Sequence, residues 1–291
     1  MPQSLLSVLF AVLTVLGCPA LPVLAAELVT LHGVTLVEDD LNDGDSFKVL
    51  ADGRELHLQL YYVDCLETIY DAETDREWLL EQQGYFGLYD PEAVVRFGRQ
   101  AAEYVQQVLS RPFTVYTSYE PAKESSDDDR VYAFVKTHGG HDLGHLLVEQ
   151  GLARIYGETH PSAGGLRSDQ VKSKLEALED CAMVNRAGIW AEIKPDILND
   201  IWKHRREVKQ KHKEPGKDRK ERDTPSPTNP IDVNHASQKQ LESLPGIGPV
   251  LAKRIIDGMP WRSVDDLRGV HGIGERKLKK IAPFLTVGCQ Q

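Results

Sequence analysis

Four acidic residues near the beginning of the chain have the spacing that a cation site with an adjacent base requires: Asp43, Asp45, Asp64 and Glu67. They lie at or beyond the ends of two apolar runs, 47–50 and 56–63, which flank the dipeptide Asp52-Gly53. Both residues of that dipeptide tolerate positive φ, so the pattern predicts a hairpin. Pairing around its turn brings Asp45 and Asp64 to the same open end. Two carboxylates there can hold a hard divalent cation while Glu67, in the following loop, serves as a base.

The tripeptide Asp43-Gly44-Asp45 is by itself more typical of a solvated turn, so the elements that follow it must decide between the two interpretations. A helical pattern covers 96–109, and strand patterns cover 113–116 and 131–135. Amphipathic helices are predicted over 143–153 and 171–185. The order of these elements favours the functional interpretation, because it places the acidic residues within a folded segment that mixes strands and helices.

The motifs of this segment, in this order, resemble those of the staphylococcal (thermo)nuclease family over about residues 29–192. The matching stretches are DGDS, LYYVDCLET, a Gly–Ala helix at 98–102, DDDRVYAFV, LLVEQGLARIYG and RAGIW. The resemblance implies an α+β fold, namely an OB-type five-stranded β-barrel with packed helices. It also implies a phosphodiesterase that uses calcium as its cofactor.

By this resemblance, Asp45 and Asp64 are the carboxylates that bind calcium, and the backbone carbonyl of Cys65 is a further ligand. Asp43 is implied to be an acid in the outer shell of the metal. These roles agree with the preference of calcium for carboxylate and carbonyl oxygen.

The same resemblance makes Glu67 the base that activates water and Arg130 the guanidinium that clamps the phosphate. Both roles suit phosphodiester hydrolysis, because the phosphate oxygens gain negative charge in the transition state and the attacking water must lose a proton. A guanidinium offers two charge-assisted hydrogen bonds to such oxygens.

Gln59 departs from the family pattern, because it stands where the family has a second arginine; Leu66 likewise replaces a usual proline. Glutamine carries no charge, and removal of an equivalent donor in other active sites costs roughly 10²–10³ in rate. His57 or Arg54 on the same strand could compensate, although the favoured interpretation is that both are ordinary surface residues. Arg76 in the insertion 68–90 could also supply the charge. Packing over the barrel is the other interpretation of that insertion and of its aromatic residues Tyr85, Phe86 and Tyr89.

A second motif is repeated near the C-terminus. The stretch LPGIGPVLAKRI at 244–255 recurs as VHGIGERKLKKI at 270–281. Each Gly-Ile-Gly follows a short helical run, 237–243 or 263–269, that starts at a serine suited to capping. Each also precedes another helix, where exposed N–H groups and the helix dipole favour an anion.

This repeat resembles the paired helix-hairpin-helix module of DNA-repair and competence-type DNA-receptor proteins over residues 231–285, and implies a small all-α domain. Such hairpins hold the sugar-phosphate backbone without recognising sequence, while packing alone remains an alternative. The residues implied to bind DNA are Gly246, Ile247, Gly248, Lys253, Arg254, Gly272, Ile273, Gly274, Lys277 and Lys280. Ile247, Ile273 and Trp261 are expected in the core under either interpretation.

The charge of the chain is divided between its two ends. Residues 201–291 contain 19 Lys and Arg against 11 Asp and Glu, whereas residues 1–200 contain 15 against 33. The basic end is therefore the part expected to meet a polyanion. We expect four parts: a signal peptide at 1–26, a nuclease-like OB-fold domain at 27–200, a basic disordered linker at 201–230, helical at its start, and a helix-hairpin-helix domain at 231–286.

The N-terminal segment predicts export. An apolar run at 5–17, too short to span a bilayer, is followed by small residues where a signal peptidase could cut. The stretch 15–18, which ends at Cys18, allows lipoprotein anchoring as an alternative. A mature chain in the periplasm or outside the cell would keep Cys65, Cys181 and Cys289, which allows at most one internal disulfide, with Cys65 to Cys181 as one pairing.

Two functions follow from these observations. The first is an exported, monomeric, calcium-dependent nuclease, expected to be an endonuclease, that acts on DNA, with RNA as a second candidate substrate, and is tethered to DNA by its hairpins. The alternative is a catalytically impaired nucleic-acid-binding or DNA-uptake receptor protein, in which Gln59 marks a lost active site. Retention of Asp45, Asp64, Glu67 and Arg130 together favours the enzyme.

Overall fold

The computed structural model describes residues 27–69, 76–122, 129–211 and 230–287. Its first domain is built on five strands: β1 (Val29–Leu36), β2 (Ser46–Ala51), β3 (Arg54–Leu60), β5 (Phe113–Pro121) and β6 (Arg130–Lys136). They pair in the order β1-β2-β3-β6-β5, and β1 also pairs with β5, which closes the barrel. The predicted α+β fold with a five-stranded OB-type barrel is confirmed.

The predicted hairpin around Asp52-Gly53 is present. Its second strand is followed by a turn at Tyr62 that the sequence did not predict. Asp52 and Gly53 both have positive φ, 49° and 72°. The predicted strand 56–63, however, ends at Leu60, because Tyr62 adopts a φ of 68° and its buried hydroxyl donates to the carbonyl of His160 at 2.6 Å. The chain then leaves the barrel and forms β4 (Val63–Cys65), which pairs antiparallel with β7 (Ala153–Ile155).

Five helices pack around the barrel: α1 (Arg76–Phe86), α2 (Pro91–Val108), α3 (Leu143–Glu149), α4 (Ser168–Asn185) and α5 (Pro195–Lys211). The helix predicted from residue 96 begins earlier, because the Asp90 side chain caps it by accepting from the N–H of Glu92. The helix predicted over 143–153 ends at Glu149, because Gly151 turns the chain with a φ of 65° into β7.

The insertion 68–90 packs on the domain, in agreement with one of its two interpretations. Phe86 is fully buried with its ring 5.2 Å from that of Trp190, and the Tyr85 hydroxyl donates to Glu179 at 2.7 Å. Tyr89, expected to join them, is 68% exposed. Residues 70–75 of the insertion lie outside the described ranges.

Helix α5 contains the predicted domain boundary at residue 200. Trp202 on this helix is buried in the core of the first domain, and Arg205 forms an ion pair with the buried Glu179 of α4. The start of the predicted basic linker is therefore helical and packed. The predicted signal peptide at 1–26 and residues 212–229 lie outside the described ranges. Within those ranges, no helix is long and apolar enough to cross a membrane.

The C-terminal domain has its own hydrophobic core and three short helices: α6 (Gln238–Glu242), α7 (Pro249–Asp257) and α8 (Glu275–Ile281). The predicted caps are present, since Ser237 accepts from the N–H of Gln240. The run 263–269 forms a 3₁₀ helix rather than an α-helix, and two-residue strands pair β8 (Ile231–Asp232) with β9 (Leu285–Thr286). Ile247 and Ile273 are buried as expected, and Trp261 packs against the core from its edge.

The pairing of Cys65 with Cys181, which the sequence allowed as one alternative, is wrong. Cys65 is a free, buried thiol packed beside Gly44 and Ala101, and burial raises its pKa well above the usual range. Cys181 is disulfide-bonded, with its partner outside the described residues. The core position of Cys65 under α2 explains why it does not reach the helix that carries Cys181.

His235 joins the two domains by bonding to carboxylates from each. Its Nε2 lies 2.7 Å from Asp180 of α4, and its Nδ1 lies 2.6 Å from Asp232 of β8. Hydrogen bonds to Asp180 and then Asp232 raise the pKa of His235 to about 9, against the opposing effect of burial. At neutral pH the imidazolium therefore donates to both carboxylates.

We predict that this contact stabilises the chain at neutral pH and is lost in alkali. Because the pKa of His235 in the folded state is raised, its contribution is complete below the unfolded value of about 6.5 and disappears as pH rises through about 9. The Tm of His235→Gln should lie below that of wild type at about pH 6 and match it at about pH 10. A Tm difference that stays constant over this range would contradict the prediction.

Candidate active site

The structure brings the two predicted metal-binding carboxylates together at one end of the barrel. Asp45 directly precedes β2 and Asp64 lies in β4, and both are buried, with 6% and 9% of their surface exposed. Asp45 Oδ1 accepts from the N–H of Cys65 at 2.8 Å, which fixes the start of β2 against β4. The turn at Tyr62 makes this possible, because it takes β4 across the end of the barrel.

Asp43 organises the turn that carries Asp45. Its Oδ1 accepts from the N–H groups of Asp45 at 3.0 Å and Ser46 at 2.5 Å. Burial raises the pKa of Asp43 to about 6, although these hydrogen bonds and Arg130 oppose the shift. Burial, followed by the charges of Asp43 and Asp64, raises the pKa of Asp45. Burying these carboxylates in their charged form therefore costs free energy unless positive groups or hydrogen-bond donors face them.

Arg154 is a positive group in this cluster that sequence reasoning missed. It is paired in register with Asp64 across the β4–β7 ribbon, and its Nε donates to Asp64 Oδ2 at 2.5 Å. The side chain is 1% exposed, and its guanidinium lies 4.2 Å from the Tyr156 ring and 4.8 Å from the Trp78 ring. A charged residue within the apolar stretch GLARIYG was the signal that could have revealed it.

Gln59 connects Asp45 to the predicted phosphate clamp. Its Nε2 donates to Asp45 Oδ2 at 2.5 Å, and its Oε1 accepts from Arg130 Nη1 at 3.1 Å. The position that holds an arginine in the resembling family is thus occupied by an amide that orients Arg130. Gln59 on β3 therefore links Arg130 on β6 to the acidic cluster.

Neither Arg54 nor His57 takes the place of the missing charge. Arg54 lies beside the Asp52-Gly53 turn, at the opposite end of the hairpin from Asp45. His57 Nε2 lies 2.9 Å from the hydroxyl of Ser46, so the imidazole is hydrogen-bonded to the neighbouring strand β2. Arg76 begins α1, and its side chain lies outside what the structure describes.

Glu67 lies in a loop that packs tightly on α2. A side chain at Gly98 would place Cβ 2.2 Å from the carbonyl oxygen of Glu67, so only glycine permits this approach. The Glu67 carboxylate accepts from Trp78 Nε1 at 3.2 Å, which positions the predicted base from α1. Trp78 was not identified from the sequence.

Gln82 of α1 is a further residue that the sequence did not indicate. It is fully buried, and its Nε2 donates to Asp64 Oδ2 at 3.0 Å and to the Cys65 carbonyl at 2.9 Å. Its Oε1 has no hydrogen-bond partner among the described residues. The insertion therefore reaches the site as well as packing over the domain.

The donor set fits calcium. Asp45, Asp64 and the Cys65 carbonyl offer only oxygen, the ligand that calcium prefers. In the structure each of these groups accepts a hydrogen bond from an amide, Gln59 or Gln82, which shows that the oxygens face positions suited to a positive partner. Among the described residues, no three Asp, Glu, His or Cys side chains form a metal-binding group, so the set depends on a backbone carbonyl.

The C-terminal repeats form two hairpins with exposed backbone. Gly246 and Gly272 have φ of 80° and 101°, and Gly248 and Gly274 cap the starts of α7 and α8. A side chain at Gly246, Gly248 or Gly274 would meet open space, so the backbone is accessible there.

The predicted basic residues of the hairpins differ in their contacts. Lys253 and Lys280 are exposed, and Lys277 is half-buried. Arg254 is also exposed but donates to the His271 carbonyl at 2.8 Å, so it joins the two hairpins. Arg276, exposed beside Gly274, was not among the predicted residues.

Comparison with known proteins finds the two domains in the predicted order. Residues 57–192 match the staphylococcal nuclease homologue family, and residues 226–286 match the helix-hairpin-helix motif. A deoxyribonuclease of Thioalkalivibrio sp. (strain K90mix) is 47% identical over 51 residues, which is 18% of this chain and 14% of that protein. Photosystem II extrinsic protein U of Picosynechococcus sp. (strain ATCC 27264 / PCC 7002 / PR-6) is 39% identical over 51 residues, 18% of this chain and 37% of that protein. The chain thus spans less than two thirds of either relative.

We predict that the Arg154–Asp64 pair is strongly coupled. Arg154→Met should lower the free energy of unfolding by about 3–5 kcal/mol, because it leaves a buried carboxylate without its cation. The additional change Asp64→Asn should recover part of that loss. Denaturant unfolding in chelator measures both, and Arg167→Met is the matched control, since the exposed Arg167–Asp169 pair should contribute little to stability. Additive effects of the Arg154 and Asp64 changes would contradict the coupling.

Proposed function

We propose that this chain, a staphylococcal nuclease homologue domain followed by a helix-hairpin-helix motif, is an exported calcium-dependent nuclease. The domain pair and the deoxyribonuclease relative support a nuclease with a DNA-binding module. The proposal adds calcium dependence, export and endonucleolytic cleavage of DNA, with RNA as a second substrate. The observation that carries it is the hydrogen-bonded path from the N–H of Cys65, the residue after Asp64, through Asp45 and Gln59 to Arg130.

Each side chain has one task in this mechanism. Calcium held by Asp45, Asp64 and the Cys65 carbonyl would supply positive charge beside the scissile phosphate. Glu67, positioned by Trp78, accepts the proton of the attacking water. Arg130, oriented by Gln59, donates to phosphate oxygens whose negative charge increases as the bond breaks.

The alternative of a binding protein with a lost active site rests on Gln59. Loss of function would leave the position without constraint, yet Gln59 is buried and bonded to both Asp45 and Arg130. A protein that only binds nucleic acid has no use for a buried carboxylate cluster that repels phosphate. We therefore favour the enzyme, with a single guanidinium from Arg130 on the phosphate.

The second domain has a physical purpose in this proposal. Residues 1–200 carry 33 Asp and Glu against 15 Lys and Arg, so this part of the chain repels DNA. A tethered basic module raises the concentration of substrate near the active site. The disulfide at Cys181 supports export, because disulfides persist in oxidising compartments.

We predict that calcium binding and hydrolysis are separable. Glu67→Gln should keep the calcium affinity of wild type and lose most hydrolysis of plasmid DNA, because only the base is neutralised. Asp64→Asn should lose both, since it removes a ligand charge. Calorimetric calcium titration and gel-based cleavage measure the two properties, with the exposed Glu55→Gln as control. Full cleavage in chelator, or by Glu67→Gln, would contradict the proposal.

We also predict that the exposed lysines at the hairpins contribute only to affinity. Lys253→Ala with Lys280→Ala should weaken binding equally for different DNA sequences and reduce the salt slope of log affinity by about 1 for each phosphate that the variant no longer neutralises. Lys239→Ala, exposed on α6 and seven residues before the first Gly-Ile-Gly turn, is the control. Fluorescence anisotropy over a salt series measures the slope, and an unchanged slope in the double variant would exclude these contacts.

A further inference from the structure

In the buried amide of Gln82, the nitrogen has hydrogen-bond partners and the oxygen has none among the described residues. Its Nε2 donates to two of the proposed calcium ligands, Asp64 and the Cys65 carbonyl, at 3.0 and 2.9 Å. Its Oε1 is buried without a hydrogen-bond partner among the described residues. Because Oε1 has no hydrogen bond to lose, turning the amide breaks only the two bonds that Nε2 makes.

We propose that Gln82 is an additional calcium ligand, with Oε1 directed at the ion when calcium is bound. This inference rests on the calcium dependence proposed above. The two ends of a glutamine amide have nearly the same shape, and rotation about the terminal bond exchanges them. Such a rotation brings Oε1 to the position now held by Nε2, next to Asp64 Oδ2 and the Cys65 carbonyl.

The geometry of the exchanged position suits a shared cation. Oxygens that bind the same calcium at roughly 2.3–2.6 Å stand about 3 Å apart, which is the separation that Nε2 now has from its two acceptors. Three oxygens packed this closely would repel one another without a positive ion between them. Without calcium, the amide therefore turns Nε2 toward Asp64 and the Cys65 carbonyl. When calcium is bound, Oε1 takes that position and faces the ion.

Calcium at this site needs more oxygen ligands than the three proposed groups supply. Calcium takes roughly six to eight oxygen ligands, and Asp45, Asp64 and the Cys65 carbonyl supply only some of them. Arg154 already offsets part of the negative charge of Asp64. A neutral oxygen from α1 adds a ligand from a helix that is anchored in the core by Phe86.

The test compares calcium binding by full-length variants in calorimetric titrations. Gln82→Met keeps the approximate volume but removes the ligand, so calcium affinity should fall about tenfold or more. Gln82→Glu replaces the amide with a carboxylate, so affinity should be retained or increased. Gln83→Met, the same change at the adjacent buried position, should bind calcium as wild type does.

The opposite interpretation, in which Gln82 is only a donor to Asp64, makes a different prediction. Glutamate would then face Asp64 as a like charge, and Gln82→Glu should weaken calcium binding as much as Gln82→Met does. That result, or wild-type affinity in Gln82→Met, would overturn the inference while leaving calcium dependence intact. If wild type itself gives no calcium-binding heat, the proposed calcium dependence fails and the inference fails with it.

A spectroscopic measurement does not depend on how Gln82→Met folds. The side-chain NH₂ resonances of Gln82, assigned by their absence from Gln82→Glu, should shift on calcium addition because the amide nitrogen leaves Asp64. Resonances that stay unchanged while the site saturates would overturn the inference.

Discussion

Burial of two carboxylates at one end of a barrel is the constraint on which the rest of this structure depends. Asp45 and Asp64 are both buried, and each requires hydrogen bonds or positive charge to remain there. Gln59 supplies a donor to Asp45, while Gln82 and Arg154 supply donors to Asp64. These three side chains come from β3, α1 and β7, so the cluster requires the barrel, the insertion and the β4–β7 ribbon to be in place together.

The sequence predicted the parts of this arrangement that depend on local pattern. The Asp52-Gly53 turn, the strand order around it and the two glycine-rich hairpins follow from residues close together in the chain. Asp45 could also be placed at the open end of the hairpin, because a hairpin fixes its own register, whereas Asp64 reaches that end only through the turn at Tyr62. The positive φ of Tyr62 could not be predicted, since it is maintained by a hydrogen bond to the distant carbonyl of His160.

The groups that sequence reasoning missed all reach the site from elsewhere in the chain. Arg154 follows Asp64 by 90 residues and meets it only because β4 pairs with β7. Trp78 and Gln82 belong to an insertion for which the resembling family provides no equivalent position. Gln59 was identified, but its bond to Arg130 was not, because that contact depends on the parallel pairing of β3 with β6.

Under the proposed function, the two domains divide the electrostatic work of a nuclease. The acidic residues proposed to serve hydrolysis would repel a nucleic-acid substrate, and the basic hairpins would attract it. The link through His235 and Asp180 connects the domains beside the disulfide-bonded Cys181. The active site can therefore be strongly acidic without losing access to a polyanion.

The most direct test is a crystal structure of the chain grown with calcium, with the ion located by its anomalous scattering. We expect a peak about 2.3–2.6 Å from the carboxylates of Asp45 and Asp64 and from the Cys65 carbonyl. Arg154 should remain bonded to Asp64 beside it. A saturating calcium concentration that leaves no peak there, with Gln59 and Gln82 still donating to the carboxylates, would contradict the account.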